Sequence, residues 1–261
     1  MTTEILPRVY SELVDRATTM SDPQVTVGEQ IIMVEVRNEK GSKQVGLAHW
    51  PNADASTSWP STVKELSHLS QATKPHLRAC GIATLNALSA SIMNWKYGDP
   101  MANISNDVDV ISTVGLFQPA FKKFDDITVR IVERDIPDTI ETPPDVTVTT
   151  HPPSECQMAF RDAEICFITG STLVYGGSER YLQALREQNV PLSILIGATA
   201  SHWPEPAFDA GIDMVAGIQV TDTSVVRNRV ARGECGTDLH SAGTRKVYIP
   251  KENKLSRVML S

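Results

Sequence analysis

One stretch near the end of the chain, GECGTDLH, gathers Glu234, Cys235, Asp238 and His240 within eight residues. A thiolate and an imidazole in one short loop suit zinc or another borderline-soft ion. Cys235 and His240 are therefore the candidate metal ligands, and a divalent transition metal is the cofactor they imply. An ordinary loop also brings such residues together by chance. His49, His151 and His202 lie at scattered loop or strand-end positions, where a histidine serves equally as a hydrogen-bonded surface residue. The chain carries no serine elbow, H-E-x-x-H, Walker loop or kinase signature, so no catalytic set follows from spacing.

Other polar candidates stand at the ends of apolar runs. Ser171 and Thr172 follow AEICFITG, where their hydroxyls and the N–H groups of a helix start suit an anion or a carboxylate, or simply cap the helix. Glu133, at the end of DITVRIVERD, is placed either to bond a ribose or another polar ligand or to end a strand in solvent. Asn86 sits inside the small-residue stretch HLRACGIATLNALSA. A buried mid-helix amide must be paired, so it bonds a neighbouring loop or points at a ligand.

These residues need a frame, and four short unbroken apolar runs supply it: DVISTVGLF (109–117), AEICFITGST (163–172), LSILIGAT (192–199) and DMVAGIQV (213–220). Unbroken runs of this length read as strands buried on both faces of a parallel sheet. In such a sheet ligands lie outside the carboxyl ends of the strands, where Gly115, Gly170, Gly197 and Gly217 give a backbone or ligand room to approach, or make tight turns. A strand, a glycine and an acid at the end of the next strand outline half of a Rossmann fold. Gly115 nevertheless stands alone before Pro119, without the G-x-G-x-x-G that grips a pyrophosphate.

The first half has a different rhythm. Residues 4–19 predict an amphipathic helix with Ile5, Val9, Leu13 and Ala17 inward, and residues 25–50 predict a hairpin turning at NEKGSK. A helix follows over 61–71, then one over 74–95 that opens with Pro75 and shows a thin face of Gly81, Ala83, Ala87 and Ala90. The turn-rich YGDPMANISND marks a boundary, which gives an α+β domain over 1–105 and an α/β domain over 106–261. Residues 135–155, rich in Pro, Thr and acids, read as a long surface connection able to fold over the crevice as a lid. RKVYIP reads as a closing edge strand.

At net charge -7 and pI near 5.4 the chain lacks the basic face that nucleic acid demands. No apolar stretch reaches the roughly 20 residues of a membrane span, and the first residues lack the basic-then-apolar order of a signal peptide, so a cytoplasmic location is expected. Four separated cysteines with no C-x-x-C indicate neither a disulfide framework nor a zinc ribbon. Cys80 and Cys166 read as small core residues.

Taken in order, HLRACGIATLNAL, DVISTVGLFQP, VERD, AEICFITGSTL, LIGAT followed by HWPEPAFDAGIDMVAGIQVTD, and VARGE resemble the bacterial and archaeal putative heavy-metal chelation proteins. The likeness spans roughly 25–249. It implies an enolase N-terminal-like domain followed by a Rossmann-like domain with a mostly parallel sheet, a ligand pocket between them, and links to metal or corrinoid metabolism. It nominates Asn86, Gly115, Glu133, Gly170, Ser171, Thr172, Gly197 and Gly217 as pocket lining. Departures from the family pattern fall at VYGG after TGSTL and at ATASHWP, where polar or proline-containing turns are usual.

The expectation is a protein that binds a small anionic ligand or a metal chelate in the cleft between its domains, as a homodimer whose small-residue helix and edge strand are self-complementary. A nucleotide- or S-adenosylmethionine-dependent enzyme making a metal-binding small molecule is the alternative, with Glu133 on the ribose. A carrier or regulator whose ligand controls partner binding is the third.

Overall fold

The computed structural model describes residues 4–51, 58–136, 139–236, 239 and 242–252. Its first part is a helix, α1 (Ile5–Thr18), and three strands, β1 (Ser21–Val27), β2 (Ile31–Arg37) and β3 (Lys43–His49), paired antiparallel in the order β1-β2-β3. Ile5, Val9, Leu13 and Ala17 are all buried, as their spacing predicts. The hairpin of β2 and β3 turns where expected. The segment before it divides in two at Gly28, whose N–H bonds the carbonyl of Ile31, and the first piece becomes a separate strand. Its polar SDPQ start hid it.

Next come α2 (Val63–His68) and α3 (Pro75–Ser89). The helix α3 ends before the 95 expected from its pattern, and every residue from Ala79 to Ser89 is buried. Only small residues permit that. A Cβ added at Gly81 would lie 1.8 Å from the backbone nitrogen of Ser70, and one at Gly46 of β3 would lie 2.0 Å from the carbonyl oxygen of Ala83.

The remainder runs β4 (Lys96–Tyr97), β5 (Val110–Val114), α4 (Pro119–Lys123), β6 (Thr128–Val132), β7 (Thr147–His151), α5 (Cys156–Phe160), β8 (Ile165–Thr169), α6 (Ser171–Tyr175), α7 (Ser178–Glu187), β9 (Leu192–Ile196), α8 (Glu205–Ala210), β10 (Met214–Val220), α9 (Thr223–Ala231) and β11 (Thr244–Pro250). Eight strands form one sheet in the order β4-β11-β10-β9-β8-β5-β6-β7. The six from β7 to β10 are parallel, and β11 and β4 are added antiparallel. Numbered along the chain, the parallel strands lie 3-2-1-4-5-6, the order of a dinucleotide-binding Rossmann sheet. All four predicted runs are strands. Residues 135–155 do not form the expected loop throughout, because the alternating TVTTH pairs with β6 as β7. Nor does RKVYIP close the sheet, since Lys96 and Tyr97 pair beyond it.

The unbroken apolar runs follow from two-sided burial. Cys166, Ile168, Leu195 and Val215 face a core shared with α1 and α3, whereas Ile165, Phe167, Ile194 and Met214 face a second core with Ile104, Phe121 and Phe124. A third cluster, with Met33, Leu47, Ile218, Val226 and Val230, seats the small sheet against β10 and α9. Beneath it, Glu35 is 3% exposed and receives Arg227 Nε and Nη2 on its two oxygens at 2.5 Å each, with Lys43 Nζ at 3.2 Å. Among the described residues no helix is long and apolar enough to cross a membrane.

Candidate functional site at the sheet switch point

Strand order reverses direction between β5 and β8, and there two neighbouring strand ends send their connections to opposite sides of the sheet. That divergence leaves a crevice at the carboxyl edge. Gly115 and Gly170 are the residues that follow the two strands. Gly115 has φ +87°, and a Cβ there would meet Thr169 Oγ1 at 2.5 Å, so the threonine fills the room the glycine provides. Thr169 donates from that oxygen to the Val114 carbonyl at 2.9 Å and exchanges a hydrogen bond with Ser171 Oγ at 2.9 Å. Thr172 donates to the Thr169 carbonyl. The two hydroxyls expected to meet an anion are thus engaged in tying down their own turn, and α6 spans only five residues.

Polar groups from three elements meet near this edge. From β6, Glu133 accepts the backbone N–H of Arg134, and Arg134 lays its guanidinium 4.8 Å above the ring of Tyr175 while bonding the Gly176 carbonyl at 3.3 Å. From the end of α6, Tyr175 places its phenolic oxygen 2.9 Å from Nε2 of His49. From β3, His49 brings the small sheet to the rim, and its backbone N–H bonds Thr199 Oγ1 at 2.9 Å. Thr199 and Ala200 press on Gly170, where an added Cβ would come within 2.8 Å of the Ala200 nitrogen. Gly197, φ +112°, ends β9 with nothing within 4 Å of the place a Cβ would take. It borders open space.

Burial lowers the His49 pKa below its ordinary 6.5, so the imidazole is neutral at neutral pH. Burial raises the Tyr175 phenol above its ordinary 10; Arg134 opposes this, while the charges of Glu133 and Asp135 add to it. The pair is therefore an uncharged hydrogen-bonding couple beside one cation and two acids. Its members can donate to and accept from a ligand without prior loss of a proton.

Asn86 and Gly217 fall elsewhere. The Asn86 Nδ2 donates to the carbonyls of Leu47 at 2.7 Å, Ala198 at 3.1 Å and Thr199 at 3.2 Å, clamping the turn after β9 to β3. Gly217 lets Ser201 Oγ approach, at 2.3 Å from an added Cβ. His202 is fully buried, with Nδ1 against the Trp203 carbonyl at 3.0 Å, and does not open on the edge. His151 ends β7 and pairs with Glu155 at 3.4 Å. Cys80, Cys156 and Cys166 are buried core thiols, and burial pushes Cys80 up to about 12. Cys235 is half-buried after α9, but His240 and Asp238 lie outside the described residues.

Spacing could not have assembled His49, Arg134 and Tyr175, because they stand 126 and 41 residues from one another along the chain. The available signal was VYGG after TGSTL, the point at which the chain departs from the family pattern. Among the described residues no three His, Cys, Asp or Glu side chains gather to hold an ion. As described, the crevice does not fit a metal coordinated only by the protein.

Residues 103–249 match the sequence model of the DUF364 family, whose description is "Putative heavy-metal chelation". Among solved structures, the chain is similar to a DUF364-family protein from Pyrococcus horikoshii, with 17% identity and a TM-score of 0.78 over 95% of this chain and 100% of that one. It is also similar to a DUF364-family protein from Desulfitobacterium hafniense DCB-2, with 18% identity and a TM-score of 0.68 over 94% and 98% of the two chains. Both are described as having unknown function, and at these identities the likeness is one of fold. No curated protein matches the chain.

Proposed function

The chain belongs to the DUF364 family, and we propose that it binds a small anionic ligand, or a metal ion carried by one, in the crevice where β5 and β8 diverge. The observation that carries this reading is the meeting of His49, Tyr175 and Arg134 from three separate elements on the rim of that crevice. An anionic chelator finds the Arg134 guanidinium, with five donors of which one is spent on Gly176. Glu133 faces the other half of such a complex, the positive metal. Gly197 provides the space, and the His49–Tyr175 couple reads the ligand's hydroxyl or carbonyl groups. The metal is cargo here, arriving with its own ligands.

A second reading rests on the strand order. In a 3-2-1-4-5-6 sheet the acid that bonds a ribose follows the second strand, and Glu133 follows β6. That position supports a nucleotide- or S-adenosylmethionine-dependent enzyme acting on a metal-binding small molecule. Against it, Gly115 is backed by Thr169 where a pyrophosphate would need the backbone bare.

Thermal-shift measurements separate the two. A ligand at 100 times its Kd adds about 2.7 kcal/mol to stability. Citrate and metal–citrate should stabilise the protein and lose that effect in Arg134→Ala. Stabilisation by a nucleotide or S-adenosylmethionine that disappears in Glu133→Ala would select the enzyme.

A further inference from the structure

The VYGG signature makes the turn from α6 to α7, and three arginines stand against it. Arg78, from α3, donates from Nη1 to the Val174 carbonyl at 3.1 Å, and a Cβ added at Gly176 would lie 2.7 Å from that nitrogen. Glycine is what lets this brace pass. Arg134 bonds the Gly176 carbonyl at 3.3 Å, and Arg180 holds its Nε 3.7 Å from the place a Cβ of Gly177 would take. Among the described residues no carboxylate comes within ion-pair reach of any of the three, and Arg180 makes no hydrogen bond at all.

Tyr181 follows Arg180 on α7 and is 5% exposed, yet its hydroxyl has no hydrogen-bond partner among the described residues. Its oxygen is not sealed from solvent, so a ligand can reach it. Burial raises the phenol above its ordinary pKa of 10; the charges of Arg180 and Arg134 oppose that rise, and Cys156 and Glu133 add to it. Both guanidinium groups therefore act on this one hydroxyl. Beside Arg180, between α5 and α7, lies a hollow of about 470 Å³, lined also by Pro153, Glu155, Cys156, Met158 and Gln183. The acids around it are answered: Glu155 pairs with His151, and Glu187 accepts the amides of Gln157 and Gln183. Arg180 is left as its uncompensated charge.

We propose that Tyr181, Arg180 and Arg134 form an oxyanion subsite for a phosphate group, free or esterified, an inference that rests on the crevice reading through the shared Arg134. Two guanidinium charges match the charge of nearly -2 on a phosphate. Its terminal oxygens take paired N–H groups from the two forks and the O–H of Tyr181, which nothing in the protein accepts. The hollow holds the organic part of an ester, with the side chain of Met158, 56% exposed, as its apolar wall. The ligand of the crevice is on this account a phosphorylated small molecule, gripped on one side of Arg134 by Tyr175 and on the other by Tyr181.

The test is a ³¹P NMR titration of inorganic phosphate and of glycerol phosphate with the full chain, with acetate as a competitor of single charge. At least one of the two phosphates should bind saturably, and acetate at equal concentration should not displace it. Arg180→Gln should weaken the binding about tenfold. Tyr181→Phe should weaken it about fivefold while the thermal midpoint in phosphate-free buffer stays unchanged or rises, because the lost hydroxyl held no protein partner. Tyr175→Phe, which reports on citrate in the crevice, should leave phosphate binding intact. Citrate failing while phosphate binds would remove the crevice reading alone, and phosphate failing while citrate binds would remove this proposal alone. The proposal is overturned if neither phosphate binds saturably, if acetate competes equally, or if either Arg180→Gln or Tyr181→Phe binds phosphate as wild type.

Discussion

The imidazole of His49 and the phenol of Tyr175 meet at 2.9 Å across the carboxyl edge of the parallel sheet. One residue ends a strand of the small sheet and the other ends a helix of the Rossmann-like half, so the contact measures how closely the two halves are seated. Because burial lowers the His49 pKa, the histidine contributes to the pH dependence of folding. The unfolded chain takes up its proton near 6.5 and the folded one resists it to lower pH, so stability is held above 6.5 and is lost as pH falls through the folded value. His202, also depressed by burial, acts in the same direction. Thermal midpoints measured from pH 8 down to 5 should fall below about 6.5, and a His49→Gln, His202→Gln double variant that still folds should show a flatter profile.

Glu35 governs a lower window. Burial raises its pKa, but the hydrogen bonds and charges of Arg227 and Lys43 outweigh burial and hold it below the ordinary 4.5. Its contribution is complete above 4.5 and disappears as pH falls through the folded value. Arg227→Met should cost about 3 kcal/mol in chemical denaturation, the low end for a broken buried pair because Lys43 stays. Replacing both partners, Glu35→Met with Arg227→Met, should restore most of that loss.

Asn86 supports the architecture through one nitrogen. Asn86→Asp replaces a donor with a carboxylate facing three carbonyls, and should destabilise the protein more than Asn86→Leu, which only leaves them unpaired. A loss of about 3 kcal/mol is expected for the leucine variant, read from urea unfolding midpoints.

Close backbone packing at α3 gives the sharpest steric prediction. Gly81→Ala and Gly46→Ala place a methyl group about 2 Å from backbone atoms that cannot swing aside, so both should lower the thermal midpoint far more than Gly41→Ala. Gly41 has open space around it, and its φ of +77° carries only the strain of a left-handed residue.

Much of the sheet was legible because two-sided burial writes itself as unbroken apolar runs, and β5, β8, β9 and β10 all declared themselves. The strand β7 did not, since at the sheet edge its threonines are partly wet and read like a loop. Of the candidate site, the sheet edge and the place of Glu133 after a strand could be read from pattern. His49, Arg134 and Tyr175 could not, because their proximity is a product of strand order and of where the small sheet docks, which local spacing does not encode. Asn86 left two readings open, a bond to a neighbouring loop or a ligand, and the structure shows the first for its nitrogen.

Calorimetric titration of the full chain with a divalent metal–citrate complex, with citrate alone and with the bare metal tests the central claim most directly. The account predicts saturable binding of the complex or of citrate, weakened about tenfold or more in both Arg134→Ala and Tyr175→Phe. Absence of binding by either anion, or binding that both variants leave untouched, would contradict it.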